Sequence, residues 1–518
     1  MMRLKKVFII TVISLLLMTA SIYQNDHAAY ASSNVPGQFI AKMYTEALGR
    51  APDSGGWQSN SNYFAANGCS SSTLRFIGKN IYKSTEFNNL YNASGAMGKD
   101  AKVLALYRGV LNREPDAGGF GYWRNQIDVI GWNSVVDSLF ASTEFNNLVS
   151  SICSGNPYYW GTSSVITIPG KTSMTGSALQ NLLWAKFFSG GGEVLLSPMT
   201  VVRVTDKIII PTGVTLKTTG NLTHNQYALM ARLVRESGFS KVMVEMRQDS
   251  KLKGIWVDGR DSVYPHSLGD TQANVLTERG GIEIQNNRIS DATGGTHLVL
   301  YGSHENRPCA SGVLVKQNLI TGYANSHYGN GWADGITIKC ENSTVEYNDV
   351  VDATDVGIIV FWAYPATQQS KVKHNVVINA GNSGYGSYGI DTWRDASIQP
   401  SFAGTQINNN SLWTSPTAHS DIALIVGTKA WHGNATNKGT GAQVSNNTSE
   451  GQILRTTTAI MVSGMLNATV QGNNFPAIQL GNYAACPMHN VVASVGAGWA
   501  SGSIQSYTDV DVNTCIGH

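Results

Sequence analysis

Charge is scarce in this chain: only 14% of its 518 residues are Asp, Glu, Lys or Arg, and 36 basic residues nearly cancel 34 acidic ones. A net charge of +2 argues against a general nucleic-acid binder, which presents a basic stripe or face. It leaves an acidic glycan open as a partner, because a local cationic groove would suffice. Proline is also sparse, at 14 residues against 54 glycines, which suits a coil-and-turn β architecture. The six cysteines show no CxxC spacing, so a zinc site is not expected. Beyond Met18 no stretch is long and apolar enough to span a bilayer.

The first residues do carry an apolar run. Arg3, Lys5 and Lys6 precede Val7 to Met18, and Ala29-Tyr30-Ala31 supplies small residues at both positions of a cleavage site. This reads as a secretory signal over 1–31, with an uncleaved anchor as the alternative, and it predicts a secreted, extracellular protein. In that compartment all six cysteines could pair. Their placement suggests Cys69 with Cys153, Cys309 with Cys340, and Cys486 with Cys515.

One phrase recurs through the second half: an aliphatic residue, two polar residues, an asparagine, and usually a second aliphatic residue two positions on. Its asparagines are Asn287, Asn318, Asn348, Asn375, Asn410, Asn447 and Asn473, 26 to 37 residues apart. Each interval holds two or three short alternating runs bounded by Gly, Asn and Asp, which predicts strands joined by tight turns with no room for crossover helices. That describes one coil of a parallel β-helix, with equivalent asparagines stacked about 4.8 Å apart in a structural ladder.

Ahead of it lies a duplication. Tyr44 to Trp57, containing Arg50, Pro52, Asp53, Gly55 and Gly56, returns as Tyr107 to Phe120, containing Arg113, Pro115, Asp116, Gly118 and Gly119. Ser84-Thr-Glu86-Phe87 returns as Ser142-Thr-Glu144-Phe145. Each copy reads as a helix ending near Arg-x-Pro-Asp, a Gly-Gly turn, an aromatic-bearing helix and a last helix ending in Glu-Phe. An Arg-Asp pair placed identically in both copies reads as a lock on a turn rather than a ligand site. The Leu-x-Arg-x-Pro-Asp-x-Gly-Gly core resembles a helical domain of unknown function found in bacterial exported proteins, and that resemblance implies a surface role beside glycan-active modules.

Residues 154–176 read as a linker. Leu179, Leu182, Leu183 and Phe187 then mark the apolar face of a helix capped by Ser177, followed by Gly190-Gly-Gly192 and Ile208-Ile-Ile-Pro211-Thr-Gly213-Val-Thr-Leu216. This order resembles the opening of right-handed β-helix proteins of the pectate-lyase-like superfamily. The expected architecture is therefore mainly β: a small all-α module at 37–153, and a right-handed parallel β-helix at 177–518 whose open end the helix plugs. The resemblance implies fold more than activity, since the same fold hosts lyases, hydrolases, epimerases and adhesins.

Aligning strands on Leu298 and Leu300, Ile336 and Ile338, Ile358 and Val360, and Ile390 and Thr392 points Tyr301, Lys339, Phe361 and Trp393 outward as one strip, with Trp362, Asp391 and Arg394 nearby. Exposed aromatics beside charges suit a sugar-binding groove; the alternative is that loops cover them as a second core. Two loops flank the strip. One carries His327, Tyr328 and Asp334; the other carries Asp349, Asp352 and Asp355, which could hold Ca²⁺ although no compact calcium loop is present. Polygalacturonases carry Asn-Thr-Asp, Asp-Asp, Gly-His-Gly and Arg-x-Lys on successive coils, of which only Trp332-Ala-Asp334-Gly is a partial echo. Alginate epimerases of this fold carry Asp-Pro-His-Glu, against Tyr264-Pro-His266-Ser here.

The sequence thus predicts a secreted protein that binds and cleaves a polysaccharide, an acidic one by preference. In β-elimination Lys339 or Arg394 would neutralise a uronate while His327 or Tyr328 abstracts the C5 proton. In hydrolysis Asp334 and Asp391 would be the acid and base. Tyr301, Phe361, Trp362 and Trp393 would bind sugar rings. A non-catalytic surface or biofilm-matrix glycan binder, attached to the cell surface through the N-terminal module, is the alternative. Nucleic acid, and membrane after signal cleavage, are not expected partners.

Overall fold

The alternating aliphatic runs fold, in the computed structural model, into three parallel sheets that the chain visits in rotation. The structure describes residues 36–154, 168, 170–239, 242–260, 263–264, 273–301, 309, 311–322, 333–353, 355–361, 367–378, 383–389, 401–414, 422–427, 439–451, 458–462, 465–473 and 492–495. The first sheet runs from Ser173–Thr175 to Thr448–Gly451, the second from Gly192–Leu196 to Val492–Val495, and the third from Ile208–Ile210 to Thr458–Val462. A typical coil takes Ala273–Thr277 in the third sheet, Ile282–Gln285 in the second and Arg288–Ser290 in the first, each paired in parallel with the coils before and after. With crossovers of the usual hand this is a right-handed parallel β-helix.

Its interior is stacked in columns. Ile284, Val315, Val345, Val372, Ile407, Val444 and Val470 follow one another in the second sheet, all fully buried. Burying such a side chain contributes roughly 1.5–3 kcal/mol, so the columns supply the main drive to coil.

The asparagine ladder lies at the turn from the second sheet to the first. Asn287 Nδ2 donates to Asn318 Oδ1 at 2.9 Å, and the link repeats through Asn348, Asn375, Asn410 and Asn447 to Asn473 at 2.8–3.0 Å. The same Oδ1 atoms accept the backbone N–H of the preceding asparagine, and each Nδ2 also donates to a carbonyl of a neighbouring coil, as Asn348 does to Val315. All seven are fully buried. The turn that presents them requires left-handed backbone one residue earlier, where Asn286, Gln317, Tyr347, His374, Asn409 and Asn446 have φ of 54–57°.

The helix across the open end spans Gly176–Phe188 and buries Leu179 and Leu183 on the first coil. Its cap is Thr175, whose side chain accepts from the Ala178 N–H, not the expected Ser177. Leu182 and Phe187 do not share the buried face; they are 47% and 37% exposed. Gln180 closes the third sheet's edge by donating to Ile209 O at 2.9 Å and accepting from Ile209 N at 2.7 Å.

Residues 37–153 form the helical module, and the duplication shows in its bonds. Asp53 and Asp116 cap the helices Ser54–Asn67 and Ala117–Ile130 by accepting from Gly56 and Gly119, so each Gly-Gly lies in a first helical turn and does not form a separate one. A Cβ on Gly56 would stand 2.4 Å from the Tyr44 hydroxyl, and one on Gly119 2.5 Å from that of Tyr107, which explains the Tyr and Gly in the shared motif. The main partner of each arginine is the glutamate of the second repeated motif: Arg50 forks onto Glu86 at 2.8 and 3.0 Å, and Arg113 onto Glu144 at 2.5 and 3.0 Å. Arg50 and Asp53 are 3.5 Å apart, a secondary contact. Glu86 and Glu144 begin the helices Thr85–Asn92 and Thr143–Cys153 where an ending was expected, because Ser84 and Ser142 act as caps. The Cys69–Cys153 and Cys309–Cys340 disulfides form; Cys486 and Cys515 lie outside the described residues.

This module lies against the outward face of the first sheet, where Arg232, Trp256 and Arg288 occupy one row. Arg288 donates to Glu46 of the module at 2.6 Å, and both side chains are buried. Tyr227 donates to the other oxygen of Glu46 at 2.6 Å. Arg232 bridges Glu114 of the module at 2.8 Å and Asp258, while its guanidinium lies 3.9 Å from the Trp256 ring centre. Burial pushes the Glu114 carboxyl upward, but Arg108 and Arg232 more than offset that and hold it below the usual carboxylate range. At Gly49, with φ of 62°, the chain passes so near Asn225 that a Cβ would stand 2.6 Å from its Cα. Trp413 donates to Pro52 O at 3.0 Å, four coils further along. Module and coil therefore share one buried seam.

Two stability predictions follow. Asn348→Leu takes the shared acceptor from the backbone N–H and side-chain amide of Asn318 and the donor from Val315 O, all in the interior, each costing about 1–3 kcal/mol, whereas Asn446→Gly at an exposed left-handed position should cost almost nothing. Equal melting shifts for the two would contradict the ladder. Arg288→Met strands Glu46 in the seam, so denaturant unfolding should show a loss of about 3–5 kcal/mol; a loss below about 1 kcal/mol would mean the seam is wet.

Candidate functional site

Alternation gives every sheet an outward face, and the three faces differ. The first is covered by the module. On the second, Lys251 and Lys253 both reach Glu283, at 2.6 and 2.7 Å, and Lys316 and Lys373 both reach Glu346, at 2.8 and 3.2 Å, so two glutamates are shared among four lysines. On the third, the bridged pairs Leu300 with Ile338 and Ile338 with Val360 set Tyr301, Lys339 and Phe361 on adjacent coils.

These three side chains are half-buried, with Lys339 between the two rings. The Lys339 ammonium lies 5.9 Å from the Tyr301 ring centre and 5.0 Å from that of Phe361, within cation–π range of both. The row next to them behaves otherwise: Val299, Thr337 and Ile359 are covered, and Val299 packs with Val242 and Ala273. A covered second core and a half-exposed strip thus coexist on this face, two residues apart along the strands.

Asp334 stands at the start of the strand Asp334–Ile338, beside the strip. Its carboxylate accepts from Thr337 Oγ1 at 2.6 Å and from the Val356 N–H at 3.2 Å. Burial first, and then the negative charge of Asp355, push its carboxyl well above the usual range, while Thr337, Val356 and Lys339 oppose them. A raised carboxyl tends toward the role of an acid more than of a base. His297 was not singled out from sequence; its Nδ1 lies 2.8 Å from Asp334 O, and it is buried. The alternation Thr296-His297-Leu298 could have pointed to it, since it shares parity with Tyr301.

The fourth coil departs from the expected alignment. Ile358 pairs with Tyr385, Val360 with Tyr388 and Phe361 with Gly389, across an irregularity, so the strand is Ser383–Gly389 and not one centred on Ile390 and Thr392. Ile390, Thr392, Asp391, Trp393 and Arg394 lie outside the described residues, as do Trp362, His327, Tyr328, Trp332 and His266.

The three aspartates proposed for Ca²⁺ face different ways. Asp349 points at the module, accepting from the Ala51 N–H at 2.8 Å, and Asp355 is the electrostatic neighbour of Asp334. Asp352 follows the first-sheet strand in left-handed backbone, with φ of 64°. Among the described residues the one group of three His, Cys, Asp or Glu within ligand distance is Cys309, Cys340 and Glu341, whose cysteines are bonded to each other.

Together these features define a right-handed parallel β-helix protein with a docked helical module and an aromatic–cation strip on its third sheet. Residues 78–149, the end of the first repeat and all of the second, match the family described as "Domain of unknown function (DUF4214)". No curated protein matches the chain in sequence. Among solved structures, the A-module of mannuronan C-5 epimerase AlgE6 from Azotobacter vinelandii is 13% identical over 62% of this chain and 95% of its own, with a TM-score of 0.40. The tailspike of E. coli bacteriophage HK620 is 14% identical over 63% and 59%, with a TM-score of 0.38. Likenesses of this size say nothing about activity.

Asp352 yields a pH prediction. Burial raises its carboxyl to about 7, whereas in the unfolded chain an aspartate ionises near pH 4. Between those values the native state holds a proton that the unfolded state has lost, so this group's contribution to stability falls as pH rises through the window. Asp352→Asn keeps the left-handed turn and cannot ionise. It should melt above the parent at about pH 8 and level with it at about pH 3; an advantage of equal size at both would contradict the assignment.

Proposed function

We propose that this is a secreted carbohydrate-active protein that binds a polysaccharide, an acidic one by preference, along the third sheet and cleaves it. The observation carrying the proposal is the half-exposed row Tyr301, Lys339 and Phe361: pyranose faces stack on aromatic rings, and an ammonium between two rings can meet a uronate carboxylate. The first outward face is covered by the module, and on the second four lysines share two glutamates.

In β-elimination Lys339 would neutralise the uronate and so acidify the C5 proton, with His327 or Tyr328 as base and Arg394 as a second cation. In hydrolysis Asp334, whose carboxyl burial raises, would serve as general acid, with Asp391 as base. A non-catalytic glycan binder is the second reading, and one observation favours it: the Asp334 carboxylate is buried and both its oxygens already accept hydrogen bonds. Export is supported by two disulfides, which persist in oxidising compartments, and among the described residues no helix is long and apolar enough to cross a membrane.

The test is a panel of uronate polymers and neutral glycans. A lyase gives the ultraviolet absorbance of an unsaturated uronate, a hydrolase gives reducing ends alone, and a binder gives neither product but retains affinity. Lys339→Ala and Phe361→Ala should melt within about 1 kcal/mol of the parent and weaken glycan binding or turnover at least about tenfold, equivalent to about 1.4 kcal/mol. Unchanged affinity in both variants would refute the strip as the binding surface.

A further inference from the structure

The row containing Tyr301, Lys339 and Phe361 extends two coils toward the helix-capped end. Tyr301 N donates to Thr277 O at 3.1 Å, Glu278 N to Met246 O at 3.0 Å, and Arg247 N to Ile210 O at 3.0 Å. Each bond repeats the step by which Lys339 N donates to Leu300 O at 2.8 Å. Arg247, Glu278, Tyr301, Lys339 and Phe361 therefore occupy equivalent positions on five successive coils. With strands about 4.8 Å apart, Arg247 and Lys339 stand about 14 Å from each other along the row.

At the Arg247 end the surface opens into a basin of about 230 Å³ lined by Thr212, Arg247, Gln248, Glu278 and Arg279. Arg247 contacts both Glu278 and Glu245, and Lys207 also contacts Glu245. Arg279 is exposed and, among the described residues, makes no ion pair. Among the lining residues the balance is two cations, Arg247 and Arg279, against one carboxylate, Glu278. Thr212 and Gln248 add neutral donors. Arg247 is held by its two acids in a fixed position, while Arg279 keeps a guanidinium fork that matches an oxyanion in two-pronged fashion.

We propose that this basin is a second subsite of the same groove, taking a carboxylate or sulfate substituent of an acidic polysaccharide whose chain also crosses Tyr301, Lys339 and Phe361. The inference rests on the proposed function of that strip. A pyranose chain advances per residue by about one strand spacing, so a glycan lying along the row meets one side chain per sugar. The basin and Lys339 then select anionic substituents a few residues apart, and oligomers too short to reach from one to the other gain only one of the two cationic contacts.

The experiment measures affinity by calorimetry for oligogalacturonates and for sulfated oligosaccharides, each in a series of increasing length, with the full protein, Arg279→Ala and Lys339→Ala. Arg279 is an exposed turn residue, so its removal leaves the fold intact. The expected result is that parent affinity rises with length until the chain spans both sites, that Arg279→Ala loses about tenfold for long oligomers and nothing for short ones, and that Lys339→Ala weakens both. The uronate and sulfate arms show which oxyanion the basin prefers. If Lys339→Ala weakens binding but Arg279→Ala matches the parent at every length, the basin is no subsite, although the strip stands. If neither oligomer class binds the parent, both the strip and the basin are overturned.

Discussion

A buried primary amide has two donors and an acceptor that must all be met, and in this protein they can be met only when the next coil places its own asparagine directly above. That requirement, repeated from Asn287 to Asn473, fixes the vertical register of the coils. A coil that slipped by one residue would leave amides unpaired in the interior and turn its aliphatic column outward. The side chains on the outside are aligned as a consequence. Rows such as Arg232–Trp256–Arg288 and Tyr301–Lys339–Phe361 exist because the ladder inside allows no other stacking.

Those rows divide the surface into three faces with different fates. On the first sheet a row of arginines and aromatics is matched by Glu46 and Glu114 from the helical module, and the charges are taken out of water. Such pairs add little net stability over an apolar seam, but they make a wrong docking costly, since any displacement strands a charge. On the second sheet Glu283 and Glu346 are each shared by two lysines. On the third, covered Val299 and Ile359 adjoin half-exposed Tyr301 and Phe361, so the strip has a packed floor and an open rim. The module, by closing the first face, leaves the second and third open to solvent.

The coil was legible because its signal is local: one asparagine per repeat, flanked by aliphatic residues that alternate. The same alternation placed Tyr301, Lys339 and Phe361 on neighbouring coils. It failed in the next coil, where Ser383-Gly-Tyr-Gly-Ser-Tyr-Gly389 forms the strand without any aliphatic residue, and the reading jumped ahead to Ile390. The helical duplication was plain, yet the arginine's chief partner was missed, because Glu86 and Glu144 lie more than thirty residues from Arg50 and Arg113 and only folding joins them. Docking of the module was invisible for a related reason. Arg232, Trp256 and Arg288 look like ordinary strand residues until the coils stack them. Burial of Asp334 and His297 depends on neighbouring coils and could not be read from a single repeat.

The account's central claim is that a glycan lies along the outward row of the third sheet. A crystal structure with a bound uronate oligosaccharide tests it most directly. The account predicts a sugar chain running parallel to the coil axis, with rings against Tyr301 and Phe361 and a carboxylate at Lys339. Sugar bound at the exposed Tyr347 and His374 corner or on the helical module, with the row left bare, would contradict it.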